Sequence, residues 1–349
     1  MNRLNMVWHP ELFHGRGHRS TAFDGWYFKI VDKTERHVWA IIVGVWMDRD
    51  PDRQYCFIQF LDGVTGRTTM HRYPVEQFWS SRDHFDIVCG RSRFSLTEIH
   101  LDIDEPELHL HGNLQLSASP GWPVRAWAPG AMGPLAFLPF LEGYHGVLSL
   151  EPRLSGVLSL DGEDISFIGG KGYVERDWGS AFPRAWTWTQ CNHFDEDHVC
   201  LSASIADIPL FGNVLRGIIV AFLYQGTLYR WATWNGSRLL SLRRDDEHAE
   251  FEVTNGHYGL EVWSGGHTSM GQVFAPRAGA MVQMLVEELS AIVQVRLVKH
   301  GRDGDTVIFE GRGRNAGLEI SGDMPAMVGR AEAEQASTPT ATSPGAFRP

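Results

Sequence analysis

Short runs in which apolar residues alternate with polar ones constrain the fold of this chain more than any other sequence feature. In ELHLHGNLQL, leucines recur at every second position except at Gly112, namely at Leu108, Leu110, Leu114 and Leu116. Successive side chains of an extended strand point to opposite faces, so this run has one buried face and one solvated face. Similar runs, separated by turn residues, follow at short spacing through most of the chain. They predict a mainly β protein with antiparallel barrel or sandwich domains.

Two segments depart from the strand pattern. AMVQMLVEELSAI has the composition of a helix, so the prediction includes few, short helices. The Pro/Gly/Trp-rich stretch 119–146 contains prolines that exclude a central strand or a regular helix, and we expect it to form a lid or wall. The predicted organisation is an N-terminal β domain over residues 1–150, including this loop, and a C-terminal β domain over 151–324. A disordered tail, rich in Ala, Ser, Thr and Pro, follows over 325–349.

Charge and cysteine content argue against several classes of function. The 42 acidic residues against 31 basic ones give a formal charge of -11, which argues against nucleic acid or anionic lipid as a partner. The four cysteines lack the spacing of a zinc finger, and we expect buried thiols. The N-terminus lacks a signal-peptide pattern, and no apolar run reaches the roughly 20 residues of a membrane span. A soluble, cytoplasmic protein is therefore expected.

Metal and nucleotide motifs are weak in this sequence. His109 and His111 share a predicted strand face, but no third ligand follows at a suitable spacing, so no metal site is expected. The glycine-rich GGKG and GRGRNAG stretches lead into predicted strands and not into a helix that would bind a diphosphate. A GxSxG nucleophile elbow is absent from the sequence. We therefore expect no bound cofactor.

The stretch KGYVERDW places two carboxyl groups side by side. If it is extended, one face carries Tyr173, Glu175 and Asp177, and the other carries Trp178. Like charges at this distance push one pKa of the pair upward, so the pair contains a candidate proton donor. The alternative is a structural ion pair between Glu175 and a neighbouring arginine.

The stretch AWTWTQCN predicts an unusual strand face, formed by Trp186, Trp188, Gln190 and Asn192. Tryptophan rings line ligand cavities and stabilise cations, and side-chain amides orient hydroxyl or quinone oxygens. The alternative is an inter-sheet core in which the amides only satisfy backbone groups.

Two further motifs contain candidate residues. In LEGYHG, Tyr144 and His145 follow the proline-rich loop, and a histidine at a barrel mouth can shuttle a proton or bind a phenol. A purely structural histidine is the alternative. In FDGWYFK, Trp26 either closes the floor of a cavity or packs the barrel.

Several of these stretches resemble the tocopherol cyclase family. They are FDGWYFK, APGAMGPL, LEGYHGVLSL, GKGYVERDWGSAFPRAWTWTQCNHF, YRWATW and AGLEISGD, together with the AP and G-M spacing in 275–281. The similarity extends over nearly all of 8–324. It implies a two-domain, lipocalin-like β fold, shared with carotenoid hydratases and some pericyclase-type proteins, that binds an apolar ligand within or between its barrels.

The resemblance also implies a reaction. Plant members protonate a prenyl double bond and let a phenol oxygen attack the tertiary cation, which closes a chromanol ring. The expected activity is therefore a cofactor-free, acid-catalysed cyclisation, or a related hydration or isomerisation, of an isoprenoid or prenylated quinol. The expected catalytic residues are Asp177 as the acid, Glu175 as its neighbour, and His145.

The ligand is expected to be a hydrophobic small molecule, with peripheral membrane contact during its uptake left open. The expected ligand-contacting residues are Tyr144, Tyr173, Trp178, Trp186, Trp188, Gln190, Asn192 and Trp26. Two alternative functions also stay open. One is a carrier or sensor that binds the molecule without transforming it, and the other is a pericyclase-type enzyme of secondary metabolism, which needs orientation more than an acid.

Overall fold

A computed structural model describes residues 6–15, 21–210, 212–266, 270–277 and 279–325 of the chain. Antiparallel strands make up most of this structure, which confirms the mainly β prediction. Its named helices are short 3-10 turns at Pro51–Arg53, Val75–Gln77, Gly133–Phe137 and Thr233–Asn235. Apart from residue 325, the predicted disordered tail lies outside the described residues.

Thirteen strands precede residue 180. They are β1 Ala22–Val31, β2 Val38–Met47, β3 Tyr55–Asp62, β4 Thr68–Pro74, β5 Phe78–Ser80, β6 Asp86–Cys89, β7 Ser92–Ser95, β8 Glu98–Glu105, β9 Leu108–Leu116, β10 Gly143–Ser149, β11 Leu154–Leu160, β12 Glu163–Ser166 and β13 Lys171–Gly179. They form a six-stranded sheet in the order β10-β13-β1-β2-β3-β4 and a seven-stranded sheet in the order β12-β11-β9-β8-β7-β6-β5. The alternating leucines of β9 are buried, as their spacing predicts.

The remaining strands build one larger sheet. They are β14 Ala185–Cys191, β15 His193–Phe194, β16 Cys200–Leu210, β17 Asn213–Tyr224, β18 Thr227–Ala232, β19 Arg238–Arg244, β20 His248–Thr254, β21 Tyr258–Gly265, β22 Met270–Arg277, β23 Ala280–Lys299 and β24 Thr306–Ser321. The main path runs β18-β17-β16-β14-β24-β23-β21-β20-β19, while β15 pairs with β24 and β22 with β23. We call it the eleven-stranded sheet.

The six-stranded sheet packs on both of its faces. One face forms a core with the seven-stranded sheet, where Trp26 and Phe28 of β1 belong to the same cluster as Phe94 of β7. The other face packs against the eleven-stranded sheet, where Tyr27 of β1 belongs to one cluster with Trp188 of β14. Strand β1 is buried almost throughout because its alternate side chains enter two different cores.

The helix considered for AMVQMLVEELSAI is wrong, because this segment lies within β23. Strand β23 pairs with β21, β22 and β24, and these non-local hydrogen bonds override the helix propensity of its Leu, Met and Glu residues. Register shifts along β23, near Glu288 and Ala291, interrupt the two-residue alternation. The sequence therefore lacks the usual strand signature here.

The change from one group of sheets to the other falls between Gly179 and Ala185. Strands β11, β12 and β13 lie beyond residue 150 but belong to the first two sheets. The domain boundary at residue 150 stays a prediction. The 119–146 loop contacts the 3-10 turn Thr233–Asn235 that follows β18, where Trp234 donates its indole N–H to the carbonyl of Ala131 over 2.8 Å.

Two expectations about the whole chain can be compared with the described residues. All four cysteines are buried free thiols, as predicted. Within the ranges given above, no helical segment has the length and hydrophobicity that a membrane-spanning helix requires.

Candidate active site

A largely apolar cavity lies between the six-stranded and eleven-stranded sheets. Its apolar lining includes Phe23, Ile42, Phe57, Phe182, Ile219 and Leu285. The proline-rich loop contributes Met132 and Glu142 to one side of the cavity. Against this background, the few ionisable side chains of the lining are the groups that can carry chemistry.

Glu175 of β13 is a buried acid on the six-stranded side of the cavity. Its Oε2 accepts a hydrogen bond of 2.6 Å from the hydroxyl of Tyr173 and one of 3.0 Å from the indole N–H of Trp188. Burial raises the pKa of Glu175 to about 7, although these two hydrogen bonds and the nearby imidazole act in the opposite direction. The carboxyl group therefore exchanges its proton near neutral pH.

His145 of β10 lies between Asp177 and Glu175. It is the register partner of Asp177, and its Nδ1 is 3.0 Å from that residue's Oδ1, while its Nε2 is 3.8 Å from Oε2 of Glu175. Burial opposes a charged imidazole, but the two carboxyl groups outweigh it and raise the pKa of His145 to about 9. The imidazolium form thus donates from Nδ1 to Asp177.

The same three residues are close enough to be considered as metal ligands. One ligand atom from each of His145, Glu175 and Asp177 lies within 4.8 Å of the others. In the structure, Nδ1 of His145 is hydrogen-bonded to Asp177, whereas its Nε2 lies 3.8 Å from Glu175 and has no hydrogen-bond partner among the described residues. The absence of a metal stays a prediction.

The opposite wall contains two acids that the sequence reasoning did not identify, Glu287 of β23 and Glu319 of β24. They are register partners in the eleven-stranded sheet. The hydroxyl of Tyr27 donates to Oε1 of Glu287 over 2.5 Å, and the indole N–H of Trp186 donates to Oε2 of Glu319 over 2.7 Å. Burial raises the pKa of Glu287 to about 7 and that of Glu319 well above its ordinary value.

Trp186 and Trp188 form an aromatic wall of the cavity, on the side that the alternation in β14 predicts. Trp188 packs edge-to-face against Tyr27, with 5.6 Å between ring centroids. Gly317 of β24 leaves room for this ring, because a Cβ atom there would lie 2.5 Å from it. The sheet thus holds an electron-rich ring face in a largely apolar space.

Gln190 and Asn192, which follow the tryptophans on the same strand face, lie outside the cavity lining. Oε1 of Gln190 accepts a hydrogen bond of 2.9 Å from Nζ of Lys29, which also donates to the carbonyl of Asn315. The amide of Asn192 donates to the carbonyl of Gly172 over 2.7 Å. Both amides join the two sheets, which is the structural alternative considered above.

The other predicted ligand contacts divide between the two faces of the six-stranded sheet. Tyr144 borders the cavity, but its ring stacks on that of its register partner Trp178 with 5.4 Å between centroids, and its hydroxyl donates to the carbonyl of Leu138. Trp26 and Trp178 lie on the face directed away from the cavity, where their rings enclose the guanidinium of Arg176 at 4.8 and 4.5 Å. This buried arginine pairs with Asp24 and not with Glu175. The two tryptophans therefore stabilise the sheet and do not reach the cavity.

The fold and the site together define a class: a mainly β protein in which two antiparallel sheets enclose an apolar, aromatic cavity with several buried carboxyl groups. The family model described as tocopherol cyclase-like matches residues 102–322. The chain belongs to this tocopherol cyclase-like family, as its motifs indicated.

The chain matches curated relatives over only part of their length. The chain is 30% identical over 122 residues to the chloroplastic tocopherol cyclase of Zea mays, which covers 34% of this chain and 26% of the maize protein. The chain thus matches about a quarter of that relative.

Solved structures show the same fold at low identity. A protein of Nitrosomonas europaea assigned as AttH has a TM-score of 0.52 at 15% identity, covering 87% of this chain and 93% of that one. CghA has a TM-score of 0.52 at 13% identity, covering 87% and 89% of the two chains. These likenesses support the lipocalin-like fold and carry no information about substrate.

Proposed function

We propose that this protein is an enzyme that transforms an apolar, unsaturated small molecule by acid catalysis, through cyclisation, hydration or isomerisation. The observation that carries the proposal is the buried carboxyl of Glu175, whose pKa of about 7 keeps a large fraction protonated near neutral pH. A protonated carboxylic acid in an apolar cavity can deliver its proton to an alkene carbon.

The contacts favour Glu175 over Asp177 as the proton donor, although the sequence reasoning favoured Asp177. The side chain of Asp177 is 30% exposed, whereas that of Glu175 is 7% exposed. The Oδ1 of Asp177 also lies opposite Nδ1 of the imidazole. Asp177 is then the residue that orients His145, and Nε2 of His145, 3.8 Å from Glu175, returns a proton to it after turnover once the two groups move closer or a water bridges them.

The cation formed by protonation must be stabilised and shielded from water until it reacts. The rings of Trp186, Trp188 and Tyr27 surround the same cavity and can stabilise such a cation through their electron-rich faces. The apolar lining limits the access of water, which would otherwise quench the cation without control.

Family membership supports an isoprenoid or prenylated quinol as the substrate. The maize relative is named a tocopherol cyclase, and its match includes about a third of the present chain. The cavity supports this assignment through its largely apolar and aromatic lining.

The experiment is an incubation of the purified protein with a panel of prenylated quinols and acyclic carotenoids, followed by chromatography and mass spectrometry. A product of unchanged mass and new retention indicates cyclisation or isomerisation, and a product heavier by one water indicates hydration. Glu175→Gln is expected to lower turnover by about 10² to 10⁴. Glu288→Gln is the matched control, because Glu288 is a buried acid outside the cavity lining.

Other outcomes of the same experiment favour other functions. If the panel compounds bind equally to wild type and Glu175→Gln and are recovered unchanged, the protein is a carrier. If turnover survives Glu175→Gln and Asp177→Asn but is lost in Trp188→Ala, orientation and not acid catalysis drives the reaction, as in a pericyclase.

A further inference from the structure

Glu287 lies on the cavity wall opposite Glu175, and the acid step described above does not use it. Its side chain is 1% exposed, and Oε1 accepts the hydrogen bond from Tyr27. Its second oxygen, Oε2, is buried and has no hydrogen-bond partner in the described part of the chain. A buried carboxylate oxygen without a donor is unfavourable, so this atom is a vacant acceptor on a residue that lines the cavity.

The groups around Glu287 suit a proton acceptor. Strand β1 presents Tyr27 and Lys29, β13 presents Glu175, and β24 presents Glu319. Burial and Glu175 favour the protonated form of Glu287, while the Tyr27 hydrogen bond and Lys29 favour the carboxylate. With opposing influences of this kind, Glu287 can bind or release a proton near neutral pH.

We propose that Glu287 is the acceptor of the proton that a ligand hydroxyl group loses, and that Tyr27 is the positioning residue that holds Glu287 for this task. The inference rests on the proposed function, which supplies the reaction, and it adds a second catalytic residue on the opposite wall. It restricts the reaction to addition of O–H across a double bond, because isomerisation of an alkene does not consume a hydroxyl proton.

The step balances without any further reagent. Glu175 gives its proton to one alkene carbon, which forms a C–H bond and leaves a cation on the other carbon. The hydroxyl oxygen, from the ligand itself or from water, forms the C–O bond, and its proton passes to Oε2 of Glu287. Glu175 has then lost one proton and Glu287 has gained one, and exchange with solvent restores both.

The test uses a simple hydroxyl probe, so that it does not depend on knowing the substrate. Binding of 2-naphthol and of its methyl ether is measured by calorimetry with wild type, Glu287→Gln, Glu175→Gln and Glu288→Gln. We expect wild type to bind 2-naphthol at least about tenfold more tightly than its methyl ether, because only the hydroxyl can donate a hydrogen bond to the buried carboxylate. Glu287→Gln should remove the preference, because glutamine places an N–H donor or a weak acceptor opposite the hydroxyl. The other two variants should keep it.

The inference is overturned if wild type shows no preference, or if Glu287→Gln retains it. Tyr27→Phe gives an independent measurement should Glu287→Gln fail to fold. In wild type the preference should be present above the pKa of about 7 and disappear below it, and loss of the Tyr27 hydrogen bond should move this midpoint to higher pH. A midpoint that stays in place contradicts the role of Tyr27 as a positioning residue.

Failure of the proposed function has a different signature. If Glu287→Gln removes the naphthol preference but wild type transforms no compound of the panel, hydroxyl recognition by Glu287 stands and the acid-catalysed step is wrong. If compounds are transformed at the same rate by Glu287→Gln and wild type but not by Glu175→Gln, the acid step stands and Glu287 as proton acceptor is wrong. Where both are correct, Glu287→Gln lowers turnover by about 10² to 10⁴.

Discussion

The indole N–H of Trp188 and Oε2 of Glu175 form a hydrogen bond of 3.0 Å that joins the two sheets enclosing the cavity. Trp188 belongs to β14 of the eleven-stranded sheet, and Glu175 belongs to β13 of the six-stranded sheet. The bond therefore fixes the aromatic wall relative to the candidate acid. A substrate double bond that packs on the ring is brought close to the proton donor.

Trp188→Phe keeps an aromatic ring and removes this donor. The hydrogen bond from Trp188 lowers the pKa of Glu175, so we expect the pKa in the variant to rise above the wild-type value of about 7. Carbon-13 NMR titration of labelled glutamate carboxyls measures it. Trp186→Phe is the matched control, since it removes the donor to Glu319 instead. An unchanged titration of Glu175 in Trp188→Phe contradicts the assigned contact.

Asp177→Asn tests the pairing of Asp177 with the imidazole. The charge of Asp177 is the leading influence that raises the pKa of His145, and asparagine lacks this charge. We expect the pKa of His145 to fall from about 9 toward its ordinary value of 6.5, as followed by nitrogen-15 NMR of the ring. If His145 still titrates near 9, Asp177 does not control its protonation.

The buried acids make stability depend on pH in a defined direction. The pKa of Glu287 is raised from 4.5 to about 7 in the folded protein, so its contribution to stability is fully present below 4.5 and is lost as pH rises through about 7. Glutamine does not titrate. The free energy of unfolding of wild type relative to Glu287→Gln should therefore fall over this range, as measured by urea denaturation at several pH values. A difference that stays flat over this pH range is the contrary result.

The amide of Gln190 is expected to act on stability and not on the reaction. Lys29→Met removes the donor to Gln190 and to the Asn315 carbonyl, and should lower the free energy of unfolding by about 1–3 kcal/mol per acceptor left unsatisfied. Adding Gln190→Leu should recover part of this loss, because the two residues share one bond. Urea unfolding of both single variants and the double variant measures the coupling. Strictly additive changes in the free energy of unfolding would show that the hydrogen bond between Lys29 and Gln190 does not contribute to stability.

The sequence predicted local features of the site well. Alternation along β13 places Glu175 and Asp177 on one face, and alternation along β14 places Trp186 and Trp188 on another, as the structure shows. Alternation alone did not say which face of a doubly buried sheet meets the cavity. We therefore predicted Trp178 as a ligand contact, although its ring packs against Arg176 on the opposite face of the sheet.

The second wall was hidden because it depends on strand pairing over a long sequence distance. Glu287 lies in a segment whose register shifts remove the strand periodicity, so it was considered as part of a helix. Glu319 becomes significant only through its pairing with Glu287 and its contact with Trp186. One signal was available in the sequence: Glu287 and Glu288 are adjacent acids inside an apolar run. Such a run is typical of a buried segment, where acids are rare and often have a specific role.

Acid catalysis by Glu175 is tested most directly by running the panel reactions in deuterium oxide and locating the deuterium in the product by mass spectrometry and NMR. Because Glu175 exchanges its proton with solvent before each turnover, the product should carry one deuterium on the carbon that was protonated, and Glu175→Gln should form little or none of it. A product without carbon-bound deuterium, or one that Glu175→Gln forms at the wild-type rate, would contradict the account.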